Sequence, residues 1–508
     1  MTLHWFDIAA FCAFLALVIG VSLYASRNEK TDEDYFLAGR KLSWWLIGFS
    51  LIASNISTEH FVGMAGRGYE LGLAIASYEW MAAVTLVIVA IWFLPKFLRA
   101  GIYTMPEYLE YRYNTTARVI MATFMMLAYI FVALASVLYA GAIALESIFT
   151  IDLVTGIWLI GITAGIYTIY GGLSAVVWSD LIQGVALLLG GALIMILGFN
   201  ALGGIGPFVE AAGDKLHVVL PWDHPEMPWV AVFIGGLWIP NLFYWGLNQF
   251  ITQRTLGARS LADGQRGIFL AAGLKLIIPF IIVFPGIMAA EIYADQVTMA
   301  DQAYPVMIRE LLPAGLTGLM FAALFGAVMS SLDSMLNSAA TIFTIDLYKR
   351  HWKSGEASPK HFVRVGRIAT GVLVVVGCLW APIVGATGSV FQYIQMFWGF
   401  ISPGIVAAFL FGLFSTRTPP AAAIGAMVLS IPIYGMLLWT LPDVAFLHHM
   451  MITFIVLTIY MIALRLARPL SEPRTLPVSN INLEHAPHAR WIGAAIVAVT
   501  AVLYIIFW

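Results

Sequence analysis

The sequence predicts an all-α polytopic membrane protein of about 14 transmembrane helices, arranged as a 5+5 inverted repeat with a broken first helix in each repeat. Three observations carry this. Of 508 residues, 61% are hydrophobic and only 11% charged, with mean hydropathy +0.88, whereas soluble domains run near a quarter charged. Apolar runs of about 20 residues, the length that crosses a hydrocarbon core, recur along the whole chain. Two of those runs, five apart in order, are interrupted by polar residues or proline.

The runs lie near 5–25, 44–69, 73–97, 118–148, 152–170, 174–200, 229–252, 267–291, 313–347, 363–385, 388–415, 420–440, 446–467 and 489–508. The first is expected to remain as a helix, because Met-Thr-Leu-His-Trp-Phe-Asp lacks the positive region of a cleaved signal peptide. Basic residues test the count. With the N-terminus outside, the inside loops hold Arg27, Lys30, Arg40, Lys41, Lys96, Arg99, Arg112, Arg118, Arg254, Arg259 and Arg266, then Lys349, Arg350, Lys353, Lys360, Arg364 and Arg367, then Arg417, Arg465, Arg468, Arg474 and Arg490. The outside loops hold only Lys215 and Arg309. That asymmetry requires an even number of spans with both termini outside. The net charge of −2 offers nothing to a nucleic acid, and Cys12 and Cys378 both lie in apolar runs, which argues against a disulfide framework or a thiolate metal site.

The second run contains Ala53-Ser54-Asn55-Ile56-Ser57-Thr58-Glu59-His60-Phe61. Polar groups at that depth require protein partners, a wet cavity or a ligand, and a polar break in a membrane helix is the usual pointer to a transporter's binding site. The break is expected at Ser54–Ser57. Run seven, Trp238-Ile239-Pro240-Asn241-Leu242-Phe243-Tyr244-Trp245-Gly246-Leu247-Asn248-Gln249, is expected to break at Pro240, which lacks a backbone donor. Runs two to six and seven to eleven form two groups of five, and the odd number reverses the second group, as an inverted repeat requires. Of the two basic residues left over, Arg67 is expected to snorkel at the outer end of run two, and Lys275 needs a partner or water. Glu79, Asp180 and Asp333 read as functional acids, and Glu59 as a structural one.

These residues and their neighbours resemble the sodium/solute symporter family, in its sodium/glucose and galactose branch. The carriers are Glu33-Asp34-Tyr35-Phe36-Leu37-Ala38-Gly39-Arg40, Ala53–Ser57, Ser77-Tyr78-Glu79-Trp80, the stretch from Tyr170-Gly171-Gly172 to Trp178-Ser179-Asp180, Asn241–Gly246, Ser330-Ser331-Leu332-Asp333-Ser334 through Ser338, and Phe391-Gln392-Tyr393-Ile394-Gln395. The resemblance spans nearly the whole chain. It implies one transporter domain over 1–508, with an extra N-terminal helix at 5–25, a first repeat at 44–200, a second, inverted repeat at 229–415 and scaffold helices at 420–508. It implies residence in the plasma (inner) membrane and sodium-coupled symport of a neutral sugar, glucose- or galactose-like, by alternating access rather than enzymatic chemistry.

By residues alone, a sugar asks for neutral donors and acceptors with aromatic faces, and Asn55, His60, Glu79, Asn241, Lys275 and Gln395 supply the polar set while Tyr244 and Trp245 supply rings. The resemblance implies that these positions contact the sugar, that Tyr244 closes its inner side, and that Met64, Tyr78 and Phe391 form the outer gate. His60 stands where galactose-type bacterial members carry glutamine and glucose-type animal members histidine; Ala82 stands where the bacterial pattern has serine. Sodium, a hard cation, favours oxygen ligands. The resemblance implies a first sodium site from the carbonyls of Ala53, Ile56 and Ala327 with the hydroxyls of Ser330 and Ser331. Asp180, Ser330, Asp333 and Ser334 form a candidate second site, giving two sodium ions per sugar. Myo-inositol is the alternative substrate, since an acid at Asp333 also marks inositol-type relatives; a sugar sensor without transport is the alternative role. A channel would need a continuous polar lining and an enzyme a nucleophile with its base or a metal cluster; neither pattern appears. The expected partners are sodium ions, a small sugar and the lipid bilayer; the sequence leaves the oligomeric state open.

Overall fold

A computed structural model describes residues 5–27, 37–149, 151–170, 173–349, 359–387 and 389–508. The Glu33–Phe36 motif, Gly171-Gly172 and the basic residues Lys30, Arg350 and Lys353 lie outside the described residues. Among those described the chain is helical throughout, with isolated bridges such as Leu42 with Ala258 and no strand. Among the described residues eleven helices are long and apolar enough to span a membrane, or twelve if Val390–Trp398 and Ser402–Phe414, bent by 47°, count as one span. The chain is therefore a multi-pass membrane protein. Some expected spans are not single long helices, because their polar or glycine-rich stretches divide them; Trp44–Asn55, for example, has only 12 residues.

Leu316–Thr341 runs through the centre, with nearly every side chain buried. Leu173–Leu202 packs on it and on Trp44–Asn55, and Leu261–Ile292 packs along Trp44–Asn55, Ala65–Leu71 and Ser77–Ile88. Inside a membrane the hydrophobic effect does not press helices together, so close contact depends on small residues. A Cβ on Gly184 would lie 2.8 Å from the Ala53 Cβ, and one on Gly286 would lie 2.1 Å from the Ala65 carbonyl oxygen. Glycine thus lets both neighbours of the broken second span approach it. The outermost helices turn apolar side chains outward, including Trp439 in Pro420–Thr440 and Leu466 in Phe446–Ala467, as a lipid-facing surface does.

Both breaks exist; the first falls within the expected Ser54–Ser57 stretch, and the second is displaced from Pro240. Ser54 and Asn55 remain helical, and the chain departs at Ile56 (φ −76°, ψ 89°) before resuming as a π-helical turn, Glu59–Met64. In the seventh span Pro240 does not break the helix. It lies in the first turn of Trp238–Leu247, where a missing N–H costs nothing. The departure is at Asn248 (φ −80°, ψ 124°), between Leu247 and Gln249–Leu256, with its Oδ1 accepting from the Tyr129 hydroxyl at 2.5 Å.

Candidate functional site

The break in the second span frees backbone oxygen. In an unbroken helix the Ser57 N–H would meet the Ala53 carbonyl and the His60 N–H the Ile56 carbonyl. Here Ser57 donates to the Asn55 carbonyl at 2.9 Å and His60 to the Ser57 carbonyl at 3.0 Å. The central helix faces this turn, and the Ser331 hydroxyl donates to the Ser54 carbonyl at 3.4 Å. The structure therefore brings Ser331 to the Ser54 carbonyl at the edge of the unwound turn, with Ala327 one helical turn before Ser331 on the same helix, while the Ser330 hydroxyl donates to Asp180.

On the other side of the turn the side chains build a pocket. Its lining includes Asn55, Glu59, His60, Asn241, Trp245 and Gln395, with Tyr244 across from Asn55. Lys275, fully buried behind it, donates to Glu79 Oε2 and to Asn55 Oδ1, and its ammonium lies 4.8 Å from the Trp245 ring centre. His60 Nε2 is 3.4 Å from Glu79 Oε1, while His60 Nδ1 is buried without a hydrogen-bond partner. Asn55 Nδ2 donates to the Tyr244 hydroxyl at 3.0 Å. Asn241 turns its amide N–H to the Leu237 carbonyl at 3.1 Å, which leaves its oxygen for the pocket. Met64, Tyr78 and Phe391 close one wall, with the Tyr78 and Phe391 rings edge to face at 4.9 Å. The cavity is about 70 Å³, room for a few waters. A larger ligand needs the Tyr78–Phe391 contact or the Asn55–Tyr244 bond to open.

Every expected pocket residue is thus gathered at one place. Glu59, read from sequence as structural, is a correction: it lines the pocket beside Asn55 and His60. Helical spacing gave no signal for it, because the break at Ile56 separates Glu59 from Asn55. Arg67 also differs. Instead of snorkelling it is buried and paired with Glu70 and Glu226. Among the described residues the lining contributes no arginine or lysine, and Lys275, which lies behind it, is already matched by Glu79.

The candidate second cation set divides. Asp180 Oδ2 accepts from Ser50 at 2.5 Å and Ser54 at 2.9 Å, and Asp180 Oδ1 accepts from Ser330. Arg254, expected in an inner loop, is instead 1% exposed in Gln249–Leu256; it reaches Asp180 Oδ2 at 3.1 Å and the Ser334 hydroxyl at 2.5 Å. A guanidinium satisfies a buried carboxylate that would otherwise be too costly to desolvate, which explains why Arg254 left the loop. Asp333 stands apart: Thr168 donates to Oδ1, and Oδ2 is buried without a partner. No hydrogen bond joins it to Asp180, Ser330 or Ser334 among the described residues.

The sodium:solute symporter family model matches residues 35–431. The chain is 43% identical to the sodium/glucose cotransporter of Vibrio parahaemolyticus over all of this chain and 99% of that protein. It is 36% identical to sodium/myo-inositol cotransporter 2 of Mus musculus, over 84% of this chain and 68% of that protein. Among solved structures, a substrate-bound, outward-open Na+-coupled sialic acid symporter superposes with a TM-score of 0.82 at 26% identity, covering 93% of this chain and 99% of that one.

Proposed function

The chain belongs to the sodium:solute symporter family, and from that premise we propose that it carries a neutral sugar, glucose- or galactose-like, into the cell together with sodium. Sodium-coupled solute symport follows from membership; the sugar, the ion count and the residue roles are our reading. The observation that carries it is the stretch Ala53–His60. Its Ser57 and His60 N–H groups bypass the Ala53 and Ile56 carbonyls, its Ser54 carbonyl meets the Ser331 hydroxyl, and its Asn55 and His60 side chains line the pocket. Ion and solute would then be held by neighbouring atoms of one unwound turn.

A neutral substrate is favoured by charge. Glu79 and Lys275 cancel, which leaves the pocket without a free charge to select an ion. The sialic acid of the structural relative would need a free cation here. We assign sugar contacts to Asn55, His60, Glu79, Asn241, Tyr244, Trp245, Lys275 and Gln395, the gate to Met64, Tyr78, Phe391 and Tyr244, and the first sodium to Ala53, Ile56, Ala327, Ser330 and Ser331. Sodium bound there would hold the second and ninth spans in the arrangement that completes the sugar pocket, so coupling is the difference in sugar affinity between sodium-bound and sodium-free states. Rocking of one group of five spans against the other, within a fourteen-span topology with both termini outside, would then expose the site inward.

We further propose a second sodium at Asp180, with Ser330 and Ser334; Asp333 would join only after a change of rotamer. Arg254 and sodium compete for the same oxygens, so the second ion enters only where the guanidinium withdraws. The sodium Hill coefficient tests this: a value near two that drops to one in Asp180→Ala supports two ions, and a value near one in both removes the second.

The deciding experiment on substrate is uptake of radiolabelled glucose into proteoliposomes under an inward sodium gradient, competed with galactose, myo-inositol, sialic acid and proline. Sodium-dependent uptake blocked by a hexose supports the proposal. Competition by myo-inositol alone selects the polyol, which the 36% relative favours. Competition only by sialic acid or proline overturns it.

A further inference from the structure

A second cavity lies where the long segment after Phe446–Ala467 returns to the bundle. It is formed by Trp92, Gln265, His485, His488, Arg490 and Trp491 and holds about 580 Å³, within the roughly 300–1,000 Å³ range of small-molecule sites. Its lining contains an arginine and two histidines and no acidic residue. It also includes the first turn of the 18-residue helix Ala489–Ile506, whose N–H groups add positive potential. The apolar side of the cavity is aromatic and outward-facing: Trp92 is 51% exposed and Trp491 77%. Tryptophans of this kind sit at the level of lipid headgroups.

The polar wall is built and oriented. The Ala486 N–H donates to Gln265 Oε1 at 2.8 Å, which fixes the amide. Its Nε2 then faces the Ala90 carbonyl and His485 Nδ1, each at 3.0 Å. His485 Nδ1 is therefore an acceptor, and a neutral ring must carry its proton on Nε2, a donor left for an occupant of the cavity. The same segment is tied to three other parts of the bundle, through Arg474 N–H to the Thr416 carbonyl, Ser479 N–H to the Arg99 carbonyl, and Leu261 N–H to the Asn482 carbonyl.

We propose that this cavity binds an anionic phospholipid of the surrounding bilayer. The phosphate would lie among Arg490, His488, His485 Nε2 and the helix N-terminus, and the acyl chains along Trp92 and Trp491. Arginine suits phosphate because its planar donors match two oxygens at once, and basic pockets between membrane helices are the usual sites for anionic headgroups. A bound lipid would clamp the returning segment to the helices that it crosses.

The test is thermal unfolding of the full-length protein in detergent with phosphatidylglycerol, with phosphatidylcholine of the same chains, and with inorganic phosphate. We expect phosphatidylglycerol alone to raise the midpoint by several degrees, and Arg490→Gln to lose most of that rise. Should Arg490→Gln unfold without lipid, native mass spectrometry of His485→Gln/His488→Gln gives the same reading: wild type retains a phosphatidylglycerol and the variant does not. Equal stabilisation by phosphatidylcholine or by phosphate alone overturns the proposal, as does undiminished retention in the variant.

Discussion

Lys275 shows how a single residue sets the character of the pocket. Its ammonium is withdrawn entirely from solvent, and its charge is balanced by Glu79 and spread over the Trp245 face. Truncating one partner of such a pair leaves an uncompensated buried charge, at a cost of about 3–5 kcal/mol. Lys275→Ala is therefore expected to lower the unfolding midpoint sharply and abolish uptake, while Lys275→Met with Glu79→Gln recovers the midpoint but not uptake. Circular dichroism beside transport assays distinguishes the two effects. His60→Ala should instead raise the sugar KM by tenfold or more with the midpoint unchanged, since removing its contact to Glu79 leaves that carboxylate still paired with Lys275. Outside the spans, Asp301 has a pH signature. Burial pushes its carboxyl from 3.8 up to about 6, against the backbone N–H of Val390, with Glu70, Arg67 and Tyr139 as its charged or titratable neighbours. The unfolded chain sheds that proton first, so this group's contribution to stability falls as pH rises from about 4 to about 6 and is level above that. The loss is on the order of 3 kcal/mol. Asp301→Asn should flatten that slope relative to wild type in midpoint measurements across this range.

At the scale of elements, the two breaks decide the design. A helix that ends at Asn55 and resumes at Glu59 releases two carbonyls without exposing them to lipid, because Leu261–Ile292, Leu173–Leu202 and Leu316–Thr341 surround it. The contact between the second span and Leu261–Ile292 rests on Gly286, so Gly286→Ala is expected to separate these helices, costing about 1–3 kcal/mol and most of the uptake. Gly273→Ala in the same helix meets nothing within 4 Å and should be neutral or slightly stabilising. Ser331→Ala removes the hydroxyl that faces the unwound turn. On the proposal that one turn serves both ligands, it should raise the half-saturating sodium concentration about tenfold, and the sugar KM with it at fixed sodium. A shift in sodium dependence with sugar affinity constant at every sodium concentration would refute that link.

For the whole molecule the consequence is energetic. One sodium crossing about 100 mV gains about 2.3 kcal/mol, and a tenfold gradient adds about 1.4. That supports roughly 500-fold accumulation of a neutral solute per ion, and two ions on the order of 10⁵-fold. Static-head accumulation in tight proteoliposomes under a set potassium diffusion potential should exceed the one-ion limit if the Asp180 site fills, and should drop below it in Asp180→Ala.

The sequence by itself determined that this chain spans a membrane many times, that the second span is interrupted, and which side chains meet around the interruption. Hydropathy and rare intramembrane polar groups are local signals, and burying Asn55, His60, Glu79 or Lys275 in lipid without partners costs too much for their positions to be accidental. Tertiary structure alone decided the rest. Pro240 looked like the second break, yet it fell in a first turn, and Asn248 took the role because Tyr129, 119 residues earlier in the chain, supplies it with a donor. Arg254 counted as a loop cation until Asp180, Ser50 and Ser334 drew it into the core. Asp333 shared a helix with Ser330 and Ser334 but bonded Thr168 instead. In each case the deciding partner is remote in sequence, and the price of an unsatisfied buried charge or N–H is set by what surrounds it in space.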